Sequence, residues 1–271
     1  MEFHSSEELA RQMRRQIILM LAAAKSGHPG GSLSATDILA TLYFDQMQID
    51  PQRPDWPQRD RLVLCKGHAA PALYAALALK GYFPMEDLAG LRKLGSKLQG
   101  HPDMHKTPGV DMTTGSLGQG LSAACGMAMA GRIDGEDYNV YAILGDGETE
   151  EGQVWEAAMF ASHYHLSKII AFVDHNRLQI DGNIEDVMSP EPLEAKWQAF
   201  GWQVQRIDGH DCQAIRAAIN WAKAEKDRPS VIIADTVKGK GVDFMENQVG
   251  WHGSAPNQEQ AEQALAQLGG C

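Results

Sequence analysis

Two segments decide the fold: NVYAILGDGETEEG at residues 139–152 and IIAFVDHNRLQIDG at 169–182. Each opens on a continuous apolar run of strand length and then breaks at a glycine or an acidic residue. Uninterrupted apolar strands are those covered on both faces, as in parallel sheets. Residues 151–163, between the two runs, are patterned as a helix. From Asp146 to Asn176 is 30 positions, the length of about one β–α–β unit.

The same alternation extends outward. RLVLC (61–65), WQVQRI (202–207) and SVIIADT (230–236) read as further strands. Helices are predicted at 6–25, behind a Ser5–Glu8 capping box, and in a second segment opened by Ser34 and Asp37. Others are predicted from 69 to near Gly81, at 117–131, at 190–200 behind Ser189 and Pro190, at 211–225, and at 257–268 with Asn257 as N-cap. The expected fold is α/β: one doubly wound, mostly parallel sheet with helices on both faces and an N-terminal helical extension.

The chain has 271 residues, 44% of them hydrophobic, enough for a full core. Its net charge is −11 and it has no Lys/Arg run, which argues against nucleic acid as a partner. The longest early apolar run, Ile17 to Ala24, is far shorter than a membrane span. The N-terminus lacks signal-peptide order. None of Cys65, Cys125, Cys212 and Cys271 forms a CxxC pair. Cys65 and Cys125 read as small core residues, and a reducing, cytoplasmic setting is expected.

In open parallel sheets ligands bind beyond the carboxyl ends of the strands. There the sequence sets Gly145-Asp146-Gly147 and Asp174-His175-Asn176. Asp146 offers a carboxylate and Asn176 an amide oxygen, and the Leu178 carbonyl is a third candidate. Such a set suits magnesium, which is usually held by one or two protein groups together with phosphates. Gly145 and Gly147 let the backbone approach a phosphate. A helix following Gly147, opened by Glu148, Glu150 and Glu151, is expected to aim its amides at that anion. GSLGQG (115–120) is not the GxGxxG dinucleotide fingerprint, and no GxxxxGK[ST] loop is present. A lone GDG is usually only a turn. GDG followed at this spacing by N-x-x-x-x-D-G on strand ends is far more specific.

GDGETEEG with DHNRLQIDG resembles the thiamine-diphosphate motif, and the wider chain resembles transketolase. SGHPGGSLSATDILATLYF (26–44), RDRLVLCKGHAAPALYAAL (59–77), GHPD (100–103), TTGSLGQGLSAACGMA (113–128) and WHG (251–253) match that family in order, over about residues 10–255. The resemblance implies that Asp146, Asn176 and the Leu178 carbonyl hold Mg2+ or Ca2+, and through it the diphosphate of thiamine diphosphate. It places His68 and His252 near the diphosphate and reacting carbon, and His28 and His101 at the substrate hydroxyls near C1. Gly115 and Leu117 would meet the aminopyrimidine, and Ile180 the thiazolium. Glu151 and Glu156 would lie at a contact between chains near the cofactor. His175 departs from the family, where many relatives carry Asp or Asn.

Transketolases are more than twice this length. The resemblance therefore implies a single cofactor-binding domain spanning 1–271, with the pyrimidine-binding and C-terminal domains on a separate chain, two of each in the assembly, acting on sugar phosphates. Two other readings stand beside it. One is half of a different thiamine-diphosphate enzyme, such as a deoxyxylulose-phosphate synthase-like protein or a 2-oxo-acid dehydrogenase α subunit. The GHPGG and GHPD histidines favour transketolase over both. The other is a non-catalytic cofactor-binding stub.

Overall fold

The computed structural model describes residues 5–269. The helical extension comprises α1 (Ser6–Ala24), α2 (Pro29–Ser34) and α3 (Thr36–Thr41). The rest alternates: β1 (Arg61–Leu64), α4 (Ala70–Lys80), α5 (Gln119–Asp134), β2 (Val140–Gly145), α6 (Gly152–His163) and β3 (Ile169–His175). A small hairpin of β4 (Leu178–Gln179) and β5 (Gly182–Asn183) follows, with the short α7 (Ile184–Val187). Then come α8 (Leu193–Ala199), β6 (Gln203–Asp208), α9 (Cys212–Ala224), β7 (Ser230–Asp235) and α10 (Gln258–Gln267).

The main sheet has the order β1-β2-β3-β7-β6, and every pair in it is parallel. Because side chains alternate across a strand, the three inner strands feed two separate cores. Tyr141, Ile143, Ile170, Phe172 and Ile232 join the core under α1, α3, α4 and α9. Val140, Ala142, Leu144, Ala171, Val173, Val231 and Ile233 join the one under α5, α6 and α8. Both faces are covered, as the continuous apolar runs predict.

Caps explain several helix starts. Ser5 Oγ accepts from the Glu8 amide at 3.3 Å, Asp211 accepts from Gln213 and Ala214, and Asn257 and Gln260 form a capping box. Three sequence expectations fail. Ser34 and Asp37 do not open a helix: Ser34 ends α2, and Asp37 lies buried inside α3, where it pairs with Arg14. Ser189 and Pro190 do not open α8, which starts at Leu193, where the Glu191 carboxylate accepts the Leu193 amide. Glu148 and Glu150 do not open α6. Residues 147–150 form a 3-10 turn, and α6 starts at Gly152 with Glu151 as its N-cap. In each case a side chain that could cap a helix is used instead by a tertiary partner or a turn.

Cys65, Cys125 and Cys212 are buried and free, and Cys271 lies outside the described residues. Among the described residues no helix is long and apolar enough to cross a membrane.

Asp37 ties the extension to the sheet. Its carboxylate accepts both Arg14 Nη1 (3.0 Å) and Nη2 (2.5 Å), and it also contacts His210 Nδ1 at 2.6 Å. The other His210 nitrogen, Nε2, accepts the Val237 amide at 2.8 Å. Burial alone would raise the Asp37 carboxyl, but hydrogen bonds from His210 and Arg14 bring it below its usual range. Asp37→Ala leaves the buried Arg14 cation unpaired. We expect a loss of about 3–5 kcal/mol in unfolding free energy, read from the urea midpoint at unchanged m-value.

Candidate active site

The register sets β2 and β3 level at their carboxyl ends, with Gly145 opposite Asp174. Backbone hydrogen bonds carry this order one residue further: Asp146 N to Asp174 O (3.3 Å), Lys66 N to Ile143 O (3.3 Å) and Thr236 N to His175 O (3.1 Å). The loops after β1, β2, β3 and β7 therefore open at one edge, around one cavity.

Nearly all of the residues singled out in the sequence line that cavity. His28, His68, His101 and His252 do so, with Gly115 and Leu117. So do Gly145, Asp146, Gly147, Asn176, Leu178 and Ile180. Glu151 and Glu156 do not: both are exposed, at the start and on the outer face of α6. The His175 side chain also points elsewhere, its Nδ1 at 2.8 Å from Asp235 Oδ1.

Asp146 is almost fully buried. Its Oδ1 accepts the Gly147 amide at 2.8 Å and its Oδ2 the Arg177 amide at 2.6 Å. Burial and the nearby Asp174 charge push its carboxyl up, so the site favours a cation beside it. Asn176 Oδ1 accepts the Leu178 amide at 3.2 Å, which curls the loop so that amide oxygen and Leu178 carbonyl belong to one tight turn. No cluster of three His, Cys, Asp or Glu side chains suited to a metal exists among the described residues. One carboxylate, one amide oxygen and one carbonyl is instead the sparse oxygen set that magnesium shares with phosphates.

Two buried lysines, Lys66 and Lys238, join the site without being singled out by the sequence motifs. Lys66 pairs with the fully buried Asp174 carboxylate. Lys238 Nζ lies 2.7 Å from the Leu178 carbonyl and 2.7 Å from His252 Nδ1. Burial, then the Lys66 charge, lower Lys238 to about 8. Each lysine closely follows an apolar strand run and precedes a glycine, in LVLCKG and ADTVKG. That placement is the signal that could have found them.

The rings of His28, His68 and His252 form a triangle with centroids 5.3–5.6 Å apart. Burial, then Arg92, His101 and Lys238, lower His28 to about 4. Burial, then Lys238, lower His252 to about 3. Burial and Lys66 hold His68 well below its usual value, and His101 is lowered by burial and Arg92. Near neutral pH the four rings are therefore neutral imidazoles, able to accept a proton at one nitrogen while donating from the other. His28 Nδ1 is buried with no hydrogen-bond partner. An orphaned imidazole nitrogen in a cavity that is also lined by two buried ammonium groups suits a ligand that is both anionic and rich in hydroxyls.

Residues 5–270 match the family described as "Transketolase, thiamine diphosphate binding domain". The chain belongs to that family. It is 54% identical over 242 residues to the 6-deoxy-6-sulfo-D-fructose transketolase subunit SqwG of Clostridium sp. (strain MSTE9), covering 89% of this chain and 88% of that one. It is 40% identical to an apulose-4-phosphate transketolase subunit of Phocaeicola vulgatus, covering 99% of this chain and 95% of that one. Human transketolase is 42% identical over 263 residues, 97% of this chain but 42% of its own length. Among solved structures, transketolase from Leishmania mexicana superposes with a TM-score of 0.93 at 34% identity, covering 99% of this chain and 42% of that one. The fold and the cofactor-binding character are thus those of the N-terminal, thiamine-diphosphate-binding part of a transketolase. The chain spans nearly the whole of the relatives named as subunits. It spans about two fifths of the full-length transketolases.

The lowered histidines make stability depend on pH. Between about pH 4 and 6.5 these histidines bind more protons in the unfolded chain than in the folded one, so their contribution to stability rises with pH across that window and is lost as pH falls through it. His252→Gln, which removes one of these groups, should flatten the curve of urea midpoint against pH below 6.5. A curve as steep as that of the wild type would show that His252 is not held neutral.

Proposed function

We propose that this chain is the cofactor-binding subunit of a split transketolase, transferring a two-carbon ketol unit from an anionic ketose to an aldose. The observation that carries this reading is the convergence of four neutral histidines with Asp146, Asn176 and the Leu178 carbonyl on one cavity at the carboxyl edge of the sheet.

Asp146, Asn176 and Leu178 would hold Mg2+ or Ca2+, and Gly145 and Gly147 would lie against the diphosphate. Gly115 and Leu117 would meet the aminopyrimidine and Ile180 the thiazolium. The cofactor would supply the electron sink for cleavage of the bond between C2 and C3. The chain's own residues do the proton work. His28 and His101 would orient the hydroxyls near C1, and His68 and His252 would take up and return protons beside the reacting carbon. Neutral imidazoles suit that role because each can act in either direction without first losing a charge.

A second polypeptide is proposed to complete the site, with two of each chain in the assembly. Leu117 and Ile180 stand exposed at the cavity, 39% and 66% accessible, where a covering domain would bury them. Glu151 and Glu156 would then face that contact. The names of the two shorter relatives, each called a subunit, support this reading. The relative at 54% identity is named for a sulfonated ketose, so 6-deoxy-6-sulfofructose is the donor to try first, beside a ketose phosphate. A cytoplasmic location is proposed from the free buried cysteines.

The test is to purify the chain, assay two-carbon transfer from each donor, and then add the candidate partner chain. Activity should appear only in the mixture. Robust transfer by the isolated chain would overturn the split reading, and a mixture active only with pyruvate would point to another thiamine-diphosphate enzyme.

Asp146→Ala removes the only formal charge in the proposed metal shell. Calorimetry of the reconstituted complex should show metal-dependent cofactor binding lost. Undiminished affinity in this variant would sink the metal assignment.

A further inference from the structure

Glu148 is a buried carboxylate in the cavity wall with no part in the reading above. It is 2% exposed, although it stands in the run GETEE, whose composition suggests a solvated segment. The 3-10 turn at 147–150 rolls its side chain inward, where its two carboxylate oxygens are used separately. Oε1 accepts the Gly118 amide at 2.9 Å, and Oε2 accepts the Gly145 amide at 3.2 Å.

Those amides belong to different parts of the chain. Gly118 is the N-cap of α5. It has a φ of +84°, and no side chain caps that helix. Gly145 is the last residue of β2. The loop before Gly118 carries Gly115 and Leu117 to one wall of the cavity, and the turn after Gly145 carries Asp146 and Gly147 to another. The approach is close: a Cβ added at Gly118 would fall 2.8 Å from Glu151 Cβ. Burial raises this carboxyl to about 7 against the lowering pull of the Gly118 and Gly145 amides and Lys66, and a helix N-terminus favours its ionised form.

We propose that Glu148 is a positioning residue that staples the Gly115–Gly118 loop to the end of β2 and so sets the distance between the two walls that grip the cofactor. This rests on reading the cavity as the thiamine-diphosphate site. The chemistry is specific to a carboxylate. Glutamine has the same shape but only one acceptor, so it keeps one amide and turns an NH2 group against the other N–H. Aspartate keeps both acceptors but is one methylene too short to span the two amides.

The test uses the chain reconstituted with its candidate partner, as wild type, Glu148→Gln and Glu148→Asp. Each is measured for thermal midpoint, for calorimetric binding of thiamine diphosphate with MgCl2, and for hydrogen exchange at the Gly118 amide. Both variants should weaken cofactor affinity by at least about tenfold, the effect of losing one charge-assisted hydrogen bond. Gly118 exchange should speed up while amides in the middle of α5 keep their protection. If the glutamine variant fails to fold, the aspartate variant decides. A lower midpoint with unchanged affinity would assign Glu148 to the fold alone and overturn the proposal. Absence of binding by the wild type would instead overturn the reading of the cavity, and the proposal with it.

Discussion

The Asp174 carboxylate holds the active edge together. It is fully buried at the end of β3, and it receives the Lys66 ammonium from beyond β1, the Ser34 hydroxyl of α2 at 2.6 Å and the Thr236 hydroxyl from beyond β7. Asn176 Nδ2 adds a contact at 3.4 Å. Burial alone would raise this carboxyl, but Lys66 and the two hydroxyls bring it below its usual range, so it stays ionised in the interior. A charge that deep is tolerated only when its partners are complete. The loops after three parallel strands and the end of the helical extension are therefore committed to one arrangement around a single point.

That arrangement sets the electrostatics of the cavity. Lys66 pairs with Asp174 and also faces His68, while Lys238 lies against His252. Two ammonium groups and the loss of water lower the imidazoles, while burial and Asp174 raise Asp146. The cavity thus disfavours extra positive charge on the histidine side and negative charge on the Asp146 side. A divalent ion carrying a diphosphate, the ligand proposed for this cavity, would answer both demands, with Asp146 on the cation's side and the lysines on the anion's.

Much of this is legible in the sequence because it depends on local chemistry. The apolar runs at 140–144 and 169–173 are strands covered on both faces, and their level ends bring Asp146 and Asn176 to one cavity. The histidines of GHPGG, KGHAA, GHPD and WHG reach the cavity as the family resemblance implies. The differences share one cause. Ser, Asp and Glu commonly open helices or face solvent, and local pattern alone gives Ser34, Asp37 and Glu148 such roles. Each is instead taken by a distant partner: Ser34 by Asp174, Asp37 by Arg14, and Glu148 by the Gly118 amide.

By itself, the sequence determined the parallel α/β class, the sheet edge at which its strand-end motifs gather and the family to which the chain belongs. Apolar periodicity, strand-end motifs and glycine placement are written within a few residues of one another. Only the tertiary structure decided which polar side chains turn inward. Lys66, Lys238, Glu148 and Asp174 are of types common at surfaces, and although an apolar run precedes each lysine, the local sequence does not name the partners that let the four side chains be buried. Their burial depends on partners 30 to 140 positions away along the chain, as with Glu148 and Gly118 or Asp174 and Ser34. Such a partner comes within hydrogen-bond reach only once the sheet has brought its strand ends level.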